Sequence, residues 1–418
     1  MKKTASRLLC EALIAYSLII TAAWAGPLED ANAAYDRGDY ATALPLFRSL
    51  AEQGDARAET NLGVMYTKGQ GVAQDYAAAA KWYRKAADQG YALGQNDLGG
   101  LYEAGHGVKK DYAEAARWYR KAADQGFAVA QSNLGTAYYI GRGVPQDYSE
   151  SVKWNRLAAD QGYALAQCNL GVMYENGQGV SRDYAAAADW YRKAADKGYD
   201  VAQSNLGAMY ARGEGVPQDF AMSAKLNRQA ADQGYAVAQY NLGTAYYLGN
   251  GVTQDYAEAF KWIRKAADQG NALAQSNLGI MYSKGQGAPQ DYAAALKWYR
   301  KAADQGLVVA ENNLGFIYEN GRGTRRDFAE AAKWYRKAAD QGYALAQYNL
   351  GGMYAKGEGV PQDFVRAYMW LDLAASKYAA AEPESRNGAI RNRDVVAAKM
   401  TPAQIAEAKK LVQEWKPK

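Results

Sequence analysis

The residue types that most often carry out catalysis are scarce in this sequence. It contains one histidine, His106, and two cysteines, Cys10 and Cys168, among 418 residues. A zinc site needs several histidine or cysteine ligands, and a serine or cysteine nucleophile usually needs a histidine base. His106 lies inside a Gly-x-Gly sequence and is interpreted as a turn residue. We therefore expect no enzyme activity, no metal site and no cofactor.

Carboxylates and glycine-rich turns are abundant, but they recur at regular intervals. Residues of the Asp75 and Asp88 type return along the chain, which indicates helix caps and solvated surface in place of one acid–base pair. The Gly-x-Gly turns lack the third glycine of a dinucleotide-binding fingerprint. No phosphate-binding loop is expected.

A row of asparagines is the strongest candidate for binding. One asparagine recurs every 36 residues from Asn61 to Asn349, with Asp97 as the exception, although asparagine is a poor helix former. A carboxamide offers one acceptor and two N–H donors, which suits the backbone of an extended peptide. A structural hydrogen bond to an adjacent helix explains the row equally well. The asparagines predicted to bind a partner are Asn133, Asn169, Asn205, Asn241 and Asn277.

Aromatic residues at positions where the repeats differ are the second group of candidates. Exposed aromatic side chains often anchor protein interfaces, so these residues could form side-chain pockets beside the asparagines. Ordinary variation on a solvated helix face is the alternative explanation. The predicted pocket residues are Tyr139, Tyr240, Tyr247 and Phe316, together with Ile140, Leu248 and Tyr348.

The candidate side chains belong to units that repeat every 36 residues along the chain. The glycine of Asn-Leu-Gly at 61–63 recurs at every 36th residue up to Gly351, so nine units occupy 56–379 without linkers. A fixed period of this length is typical of stacked supersecondary units.

Each unit is predicted to be a pair of helices. In the first unit, apolar residues are spaced as on a helix over 56–68 and again over 75–89. Gly69 and Gly71 end the first helix, Asp75 caps the second, and Gly90 closes it. Trp82 and its equivalents are predicted to lie in the core. Gly63 lies inside the first helix, which indicates close approach of a neighbouring backbone.

One unit deviates from the others in its second helix. Leu226 replaces the tryptophan, and Asn227 stands where most units have tyrosine. This unit therefore has less aromatic surface to bury, and residues 220–234 are predicted to open first.

The repeated elements resemble a known family. Ala-x-Ala-Gln-x-Asn-Leu-Gly-x-Met-Tyr, Gly-x-Gly-Val, Asp-Tyr-Ala and Lys-Trp-Tyr-x-Lys-Ala-Ala-Asp-Gln-Gly are similar to the Sel1-like repeat (SLR), a relative of the tetratricopeptide repeat. The resemblance implies an all-α fold, a right-handed α/α superhelix of antiparallel helix pairs. It also implies that first helices line a concave groove, where related domains use asparagine to hold a peptide.

The resemblance also implies a function. Members of this family act as adaptors and scaffolds, so we expect a protein–protein interaction adaptor in the bacterial cell envelope that holds a protein or extended peptide in its groove. A secreted, virulence-associated factor that interacts with a host is the alternative. A peptidoglycan-directed enzyme, as proposed for some relatives, is a less favoured one.

The two ends of the chain differ from the repeats. Residues 26–55 resemble a shortened tetratricopeptide-type hairpin that would cap the first unit. Residues 380–418 are predicted to form C-terminal capping helices, one over 384–400 and one opened by a Thr401–Gln404 capping box, with a break over 379–383.

The first 25 residues have the features of a signal peptide. Lys2, Lys3 and Arg7 precede an apolar stretch of about a dozen residues, and cleavage is predicted after Ala25. The stretch is shorter than the about 20 residues of a membrane span, although an uncleaved anchor is the alternative. A periplasmic or secreted, monomeric protein is expected, without an integral membrane span.

Charge argues against nucleic acid as a partner. Removal of residues 1–25 lowers the formal net charge from +5 to +3, and 49 basic residues are interspersed with 44 acidic ones. A nucleic-acid surface requires clustered lysine and arginine. Cys168 is the only cysteine after cleavage, so no intramolecular disulfide is expected.

Overall fold

The computed structural model describes residues 26–378 and 382–417, which form two compact units divided between Tyr199 and Asp200. All regular secondary structure in these residues is helical, in 22 helices. The predicted signal peptide and most of the predicted break at 379–383 lie outside the described residues. Among the described helices, none has the length and apolarity of a membrane span.

Unit 1 contains a terminal hairpin followed by four repeats. The hairpin consists of α1 (Pro27–Asp36) and α2 (Tyr40–Glu52). The first helices of the repeats are α3 (Ala56–Lys68), α5 (Ala92–Ala104), α7 (Ala128–Ile140) and α9 (Ala164–Asn176). The second helices are α4 (Tyr76–Asp88), α6 (Tyr112–Asp124), α8 (Tyr148–Asp160) and α10 (Tyr184–Ala195).

Unit 2 contains five repeats and two terminal helices. The first helices are α11 (Asp200–Arg212), α13 (Ala236–Leu248), α15 (Ala272–Lys284), α17 (Val308–Asn320) and α19 (Ala344–Lys356). The second helices are α12 (Phe220–Asp232), α14 (Tyr256–Asp268), α16 (Tyr292–Asp304), α18 (Phe328–Asp340) and α20 (Phe364–Lys377). The terminal helices are α21 (Pro383–Ala397) and α22 (Pro402–Glu414).

Local sequence signals set the helix ends. The side chain of Asp75 accepts hydrogen bonds from the backbone N–H groups of Ala77 and Ala78, and the aspartate of each remaining repeat accepts at least one such bond at the start of its second helix. Gly69 ends α3 with a φ of 68°, in the left-handed region that favours glycine. Thr401 and Gln404 form the predicted capping box. These contacts confirm the predicted helix–turn–helix pattern.

The repeat tryptophans lie in the core, as predicted. Trp118 is 1% exposed and packs against Tyr83 and Leu98, which belong to two successive repeats. The guanidinium of Arg84 lies 5.1 Å from the ring centroid of Trp118, so a cation–π contact joins the same two repeats. Trp82 is half-buried and packs against the core of the terminal hairpin. Trp82 and Trp118 therefore couple their second helices to the structure that precedes each of them in the chain.

The glycine inside the first helix makes room mainly for a side chain. A Cβ atom at Gly63 would lie 2.6 Å from Cε1 of Tyr83, and one at Gly99 would lie 2.8 Å from the ring of Tyr119. The nearest backbone atom at Gly99, the carbonyl oxygen of Ala115, follows at 3.2 Å. The sequence correctly predicted close approach at this position, but its expectation of a backbone neighbour is corrected, because the nearest atoms belong to a side chain of the second helix, an aromatic ring in five of the nine repeats.

Candidate functional site

Each first helix presents one partly open face. In α7 this face carries Val129, Asn133, Thr136 and Ile140, at steps of four, three and four residues. Val129 and Asn133 are half-buried, whereas Thr136 and Ile140 are exposed. We call this side of the first helices, in either unit, the first-helix face. The predicted asparagines and Phe316 lie on it, and the three predicted tyrosines lie directly beside it.

The asparagines on this face are half-buried and connect successive first helices. Nδ2 of Asn133 donates a hydrogen bond to Oδ1 of Asn96 at 3.0 Å, and Nδ2 of Asn349 donates to Oδ1 of Asn312 at 3.2 Å. Asn241 and Asn277 make longer contacts of 3.5 Å with Ser204 and with the hydroxyl of Tyr240.

Two asparagines also contact second helices. Asn169 and Asn241 donate to Oδ1 of Asn155 and Asn227, at 3.1 and 3.2 Å, while Asn205 is half-buried on α11. The amides thus make the structural hydrogen bonds that the sequence offered as an alternative. Because a carboxamide has two N–H groups and a carbonyl oxygen, binding of a partner by the same side chains stays a prediction.

Asp97 is the exception in the row, and its environment changes its titration. Burial raises the pKa of the Asp97 carboxyl to about 6, while a hydrogen bond from Nδ2 of Asn96 at 3.1 Å acts in the opposite direction. A carboxylate replaces the amide donor at this point of unit 1. Near neutral pH the row therefore carries one half-buried negative charge.

The predicted aromatic residues differ in their exposure. The hydroxyls of Tyr139 and Tyr247 donate to Oε1 of Gln178 and Gln286, both at 2.8 Å, so each half-buried ring is fixed to the Gly-x-Gly turn of the next repeat. Tyr240 is also half-buried. Phe316 is 42% exposed, with the guanidinium of Arg322 5.1 Å from its ring centroid. Of these four residues, Phe316 offers the most open surface to a partner.

An apolar row runs beside the asparagines, and the sequence analysis did not identify it. The second residue of the first helices is leucine or valine in every repeat but the first, where it is Arg57. Val237, Leu273 and Leu345 are 41%, 49% and 40% exposed. The sequence carried a signal for this row, because a leucine or valine stands four residues before the asparagine position from the second repeat on. Helical spacing places residues i and i+4 on one face. The first-helix face thus combines an amide row with an apolar row.

Cavities open on the first-helix face in both units. One of about 290 Å³ in unit 1 is lined by Asn133, Asn169 and Leu165. One of about 300 Å³ in unit 2 is lined by Val309, Asn313 and Phe316. Each therefore combines an asparagine with a member of the apolar row. This arrangement can hold backbone amides and apolar side chains of an extended polypeptide together.

The histidine and the repeated aspartates have structural positions in the described part of the chain. The described residues contain no group of three histidine, cysteine, aspartate or glutamate residues that could hold a metal ion. The ring of His106 lies 4.6 Å from that of Tyr76, at a Gly-x-Gly turn, as expected for a turn residue. The repeated aspartates are engaged as helix caps.

The repeated pattern matches a known family throughout. The Sel1 repeat matches nine consecutive segments, at 56–91, 92–127, 128–163, 164–199, 200–235, 236–271, 272–307, 308–343 and 344–378. The chain belongs to the Sel1 repeat family. Solenoids of this family are typically scaffolds for protein–protein interaction. No curated protein matches the chain.

Two solved structures support the Sel1 repeat fold. The chain is 36% identical to a protective antigen present in uropathogenic Escherichia coli strains that displays an SLR fold; the match covers 93% of this chain and 91% of that protein, with a TM-score of 0.56. It is also 36% identical to a Sel1 repeat protein from Oxalobacter formigenes, over 74% of this chain and 89% of that protein, with a TM-score of 0.57. The all-α solenoid of helix pairs that the sequence predicted is confirmed.

Proposed function

We propose that this Sel1 repeat protein is an exported, monomeric adaptor of the bacterial cell envelope that holds a partner polypeptide on its first-helix face. The observation that carries the proposal is the pairing of half-buried asparagines with a partly exposed apolar row on one face. The apolar run that follows Lys2, Lys3 and Arg7 supports export.

Both rows are needed for useful affinity. Four amide hydrogen bonds at about 0.5 to 1.5 kcal/mol each give about 2 to 6 kcal/mol, whereas micromolar binding needs about 8 kcal/mol. Full burial of a leucine or valine side chain contributes about 1.5 to 3 kcal/mol, and Val237, Leu273 and Leu345 have about half of their surface left to bury. Half-burial of three such residues adds about 2 to 4 kcal/mol, which reaches micromolar affinity together with amide hydrogen bonds in the upper part of their range.

Site-specific crosslinking in the source cells tests this proposal. A photo-crosslinking amino acid at position 273 should capture a polypeptide, and Leu345→Glu should reduce that capture. Position 157 is the matched control, because Leu157 is a leucine of similar exposure, 43%, on the second helix α8. Equal capture from positions 157 and 273, or no capture from 273, contradicts the proposal.

Cell fractionation tests the proposed location separately. The full chain should be found in the periplasm or the medium, and a variant that lacks residues 2–25 should stay in the cytoplasm. Recovery of the full chain in the cytoplasm rules out export. Recovery with the membrane, at unreduced length, indicates the uncleaved anchor.

A host-directed, secreted protein is the second candidate function. It is favoured by the 36% identity to a protein described as a protective antigen of uropathogenic strains. The two functions share the first-helix face and differ in location, so recovery mainly from the medium favours the secreted function.

A further inference from the structure

The cavity of about 300 Å³ in unit 2 carries two cationic side chains. Its lining comes from α15, α16, α17 and the turn that follows α17. Lys284 lies at the end of α15 and Arg322 lies in the turn, and both side chains are exposed. In the part of the chain that the structure describes, no aspartate or glutamate lines this cavity. We call it the Arg322 cavity.

Aromatic rings hold the guanidinium of Arg322 at the cavity. It lies 5.3 Å from the ring centroid of Tyr292 and 5.1 Å from that of Phe316, which is within the range of cation–π contacts. Its Nη1 donates a hydrogen bond to the hydroxyl of Tyr292 at 3.4 Å. A guanidinium has five N–H donors in a planar fork, so further donors remain for an anionic ligand.

The equivalent cavity in unit 1, of about 290 Å³, shows how a carboxylate is bound by these groups. It has Arg142 in the place of Arg322, and Glu103 in the place of Ser283. The hydroxyl of Tyr119 donates to Oε2 of Glu103 at 2.8 Å, and Oε1 lies 3.7 Å from Nη1 of Arg142. The two cavities are nearly equal in volume and differ in charge. In unit 1 the chain itself supplies the carboxylate, whereas in unit 2 a serine stands in its place.

Lys284 also lacks the carboxylate that accompanies basic residues at its position elsewhere in unit 2. Arg212 and Lys356 occupy the same position, and each forms an ion pair with the glutamate two residues later. After Lys284 that residue is Gln286, which is uncharged. Lys68 is followed by a glutamine too, but the turn of the next repeat carries a histidine where the Arg322 cavity has its arginine. Two cations therefore meet at the Arg322 cavity without the carboxylates that accompany their equivalents.

The remaining lining of the cavity suits a short acidic side chain. Tyr299 is the equivalent of the tyrosine that donates to Glu103 in unit 1. Burial raises the pKa of Tyr299 to about 12, so its hydroxyl keeps the proton with which it can donate. Ile280 and Val309 supply apolar surface for the methylene groups of a ligand, and Asn313 adds an amide.

We propose that the Arg322 cavity binds the carboxylate of a glutamate or aspartate side chain in a partner polypeptide, between Arg322 and Lys284. Hydrogen bonds between a guanidinium and a carboxylate are charge-assisted and therefore stronger than neutral ones. Arg325 and Arg326 are exposed in the same turn and add positive charge, which attracts an acidic segment. This inference rests on the proposed function, because the cavity opens on the first-helix face, and it identifies the partner as an acidic polypeptide.

NMR titration of the full chain with three small probes tests the site by itself. N-acetylglutamic acid α-amide carries its carboxylate on the side chain, N-acetylglutaminamide is the neutral counterpart, and N-acetylglutamine carries its carboxylate at the C-terminus. The first probe should cause saturable shifts in amides of α15 to α17, and the neutral probe should bind about fivefold or more weakly. Equal or tighter binding of either of the other probes overturns the proposal, as does failure of the first probe to bind.

Two variants locate the binding at this cavity. Arg322→Gln should weaken binding of the first probe by about fivefold or more, and it should fold, because three other repeats carry glutamine at this position. Arg142→Gln is the matched control and should leave binding unchanged, because Arg142 is already paired with a glutamate. Unchanged binding in Arg322→Gln, or equal losses in both variants, overturns the proposal.

Ser283→Glu tests the comparison between the two cavities directly. It gives unit 2 the carboxylate that Glu103 supplies in unit 1, so the new side chain should occupy Arg322 and weaken binding of the first probe as Arg322→Gln does. Glutamate stands at this position in three other repeats, where a tyrosine donates to it, so the variant should fold. Thr67→Glu is the control, since the next repeat has no arginine to pair with it. Full binding in Ser283→Glu contradicts the proposal.

The two proposals can fail separately. If crosslinking from position 273 succeeds and the acidic probe does not bind, the carboxylate site is excluded and the first-helix face retains its function. If the acidic probe binds and no polypeptide is captured, the adaptor function is excluded.

Discussion

Asp97→Asn is expected to stabilise unit 1 near neutral pH. Asp97 has no basic partner among the interactions that determine its pKa, which burial raises from 3.8 to about 6. Asparagine occupies the equivalent position in the eight other repeats and keeps nearly the same size and shape. The substitution removes a half-buried charge and restores an amide donor to the row.

The size and pH dependence of the effect follow from linkage. The folded state binds the Asp97 proton more tightly than the unfolded state does. The contribution of Asp97 to the free energy of unfolding is therefore most favourable below about pH 3.8 and is lost as pH rises through about 6. A rise in pKa from 3.8 to about 6 corresponds to a loss of at most about 3 kcal/mol. The variant should therefore be more stable than the wild type by up to this amount at pH 7, and nearly equal to it at pH 3.5.

Urea unfolding of both proteins at pH 3.5, 5, 6 and 7.5 measures this difference. The difference between the two proteins isolates residue 97, because the other titrating groups are shared. Amide exchange in α5 reports the local effect if the repeats unfold in separate steps. Asp124→Asn is the control, since Asp124 is exposed at the end of the second helix of the same repeat. A stability difference that does not change with pH refutes the reasoning.

Three further predictions concern the repeats themselves. Gly315→Ala should destabilise unit 2 by about 1 to 3 kcal/mol, because the new Cβ would lie 2.5 Å from the ring of Tyr335. Gly352→Ala places its Cβ in open space and should stabilise unit 2 by up to about 1 kcal/mol, and thermal unfolding compares the two variants. Residues 220–234 should lose amide-exchange protection first, because Leu226 and Asn227 bury less aromatic surface than the tryptophan and tyrosine of other repeats; uniform protection of all nine repeats contradicts this. Asp147→Ala should destabilise unit 1 by about 1 kcal/mol through loss of two cap hydrogen bonds, and an unchanged urea midpoint would be inconsistent with the cap.

Interactions close in sequence were predictable because their geometry is local. Asp75 meets the amides of Ala77 and Ala78 only two and three residues later, and Gly69 needs only its own backbone angle to end a helix. The 36-residue period then fixed the number of repeats, since every unit repeats the same local signals. The same regularity indicated that the tryptophans are core, because one at nearly every repeat must serve a shared packing role.

Contacts between repeats were decided by tertiary structure. The sequence showed the asparagine row but left its role open, and the structure shows Asn133 donating to Asn96 in the repeat before it. Asp97 is buried because of neighbouring helices, so its pKa shift had no sequence signal beyond the break in the row. The cavity beside Asn227 had no signal in the sequence. Two first helices and the second helix α12 enclose that space together, and its volume depends on which side chains meet there.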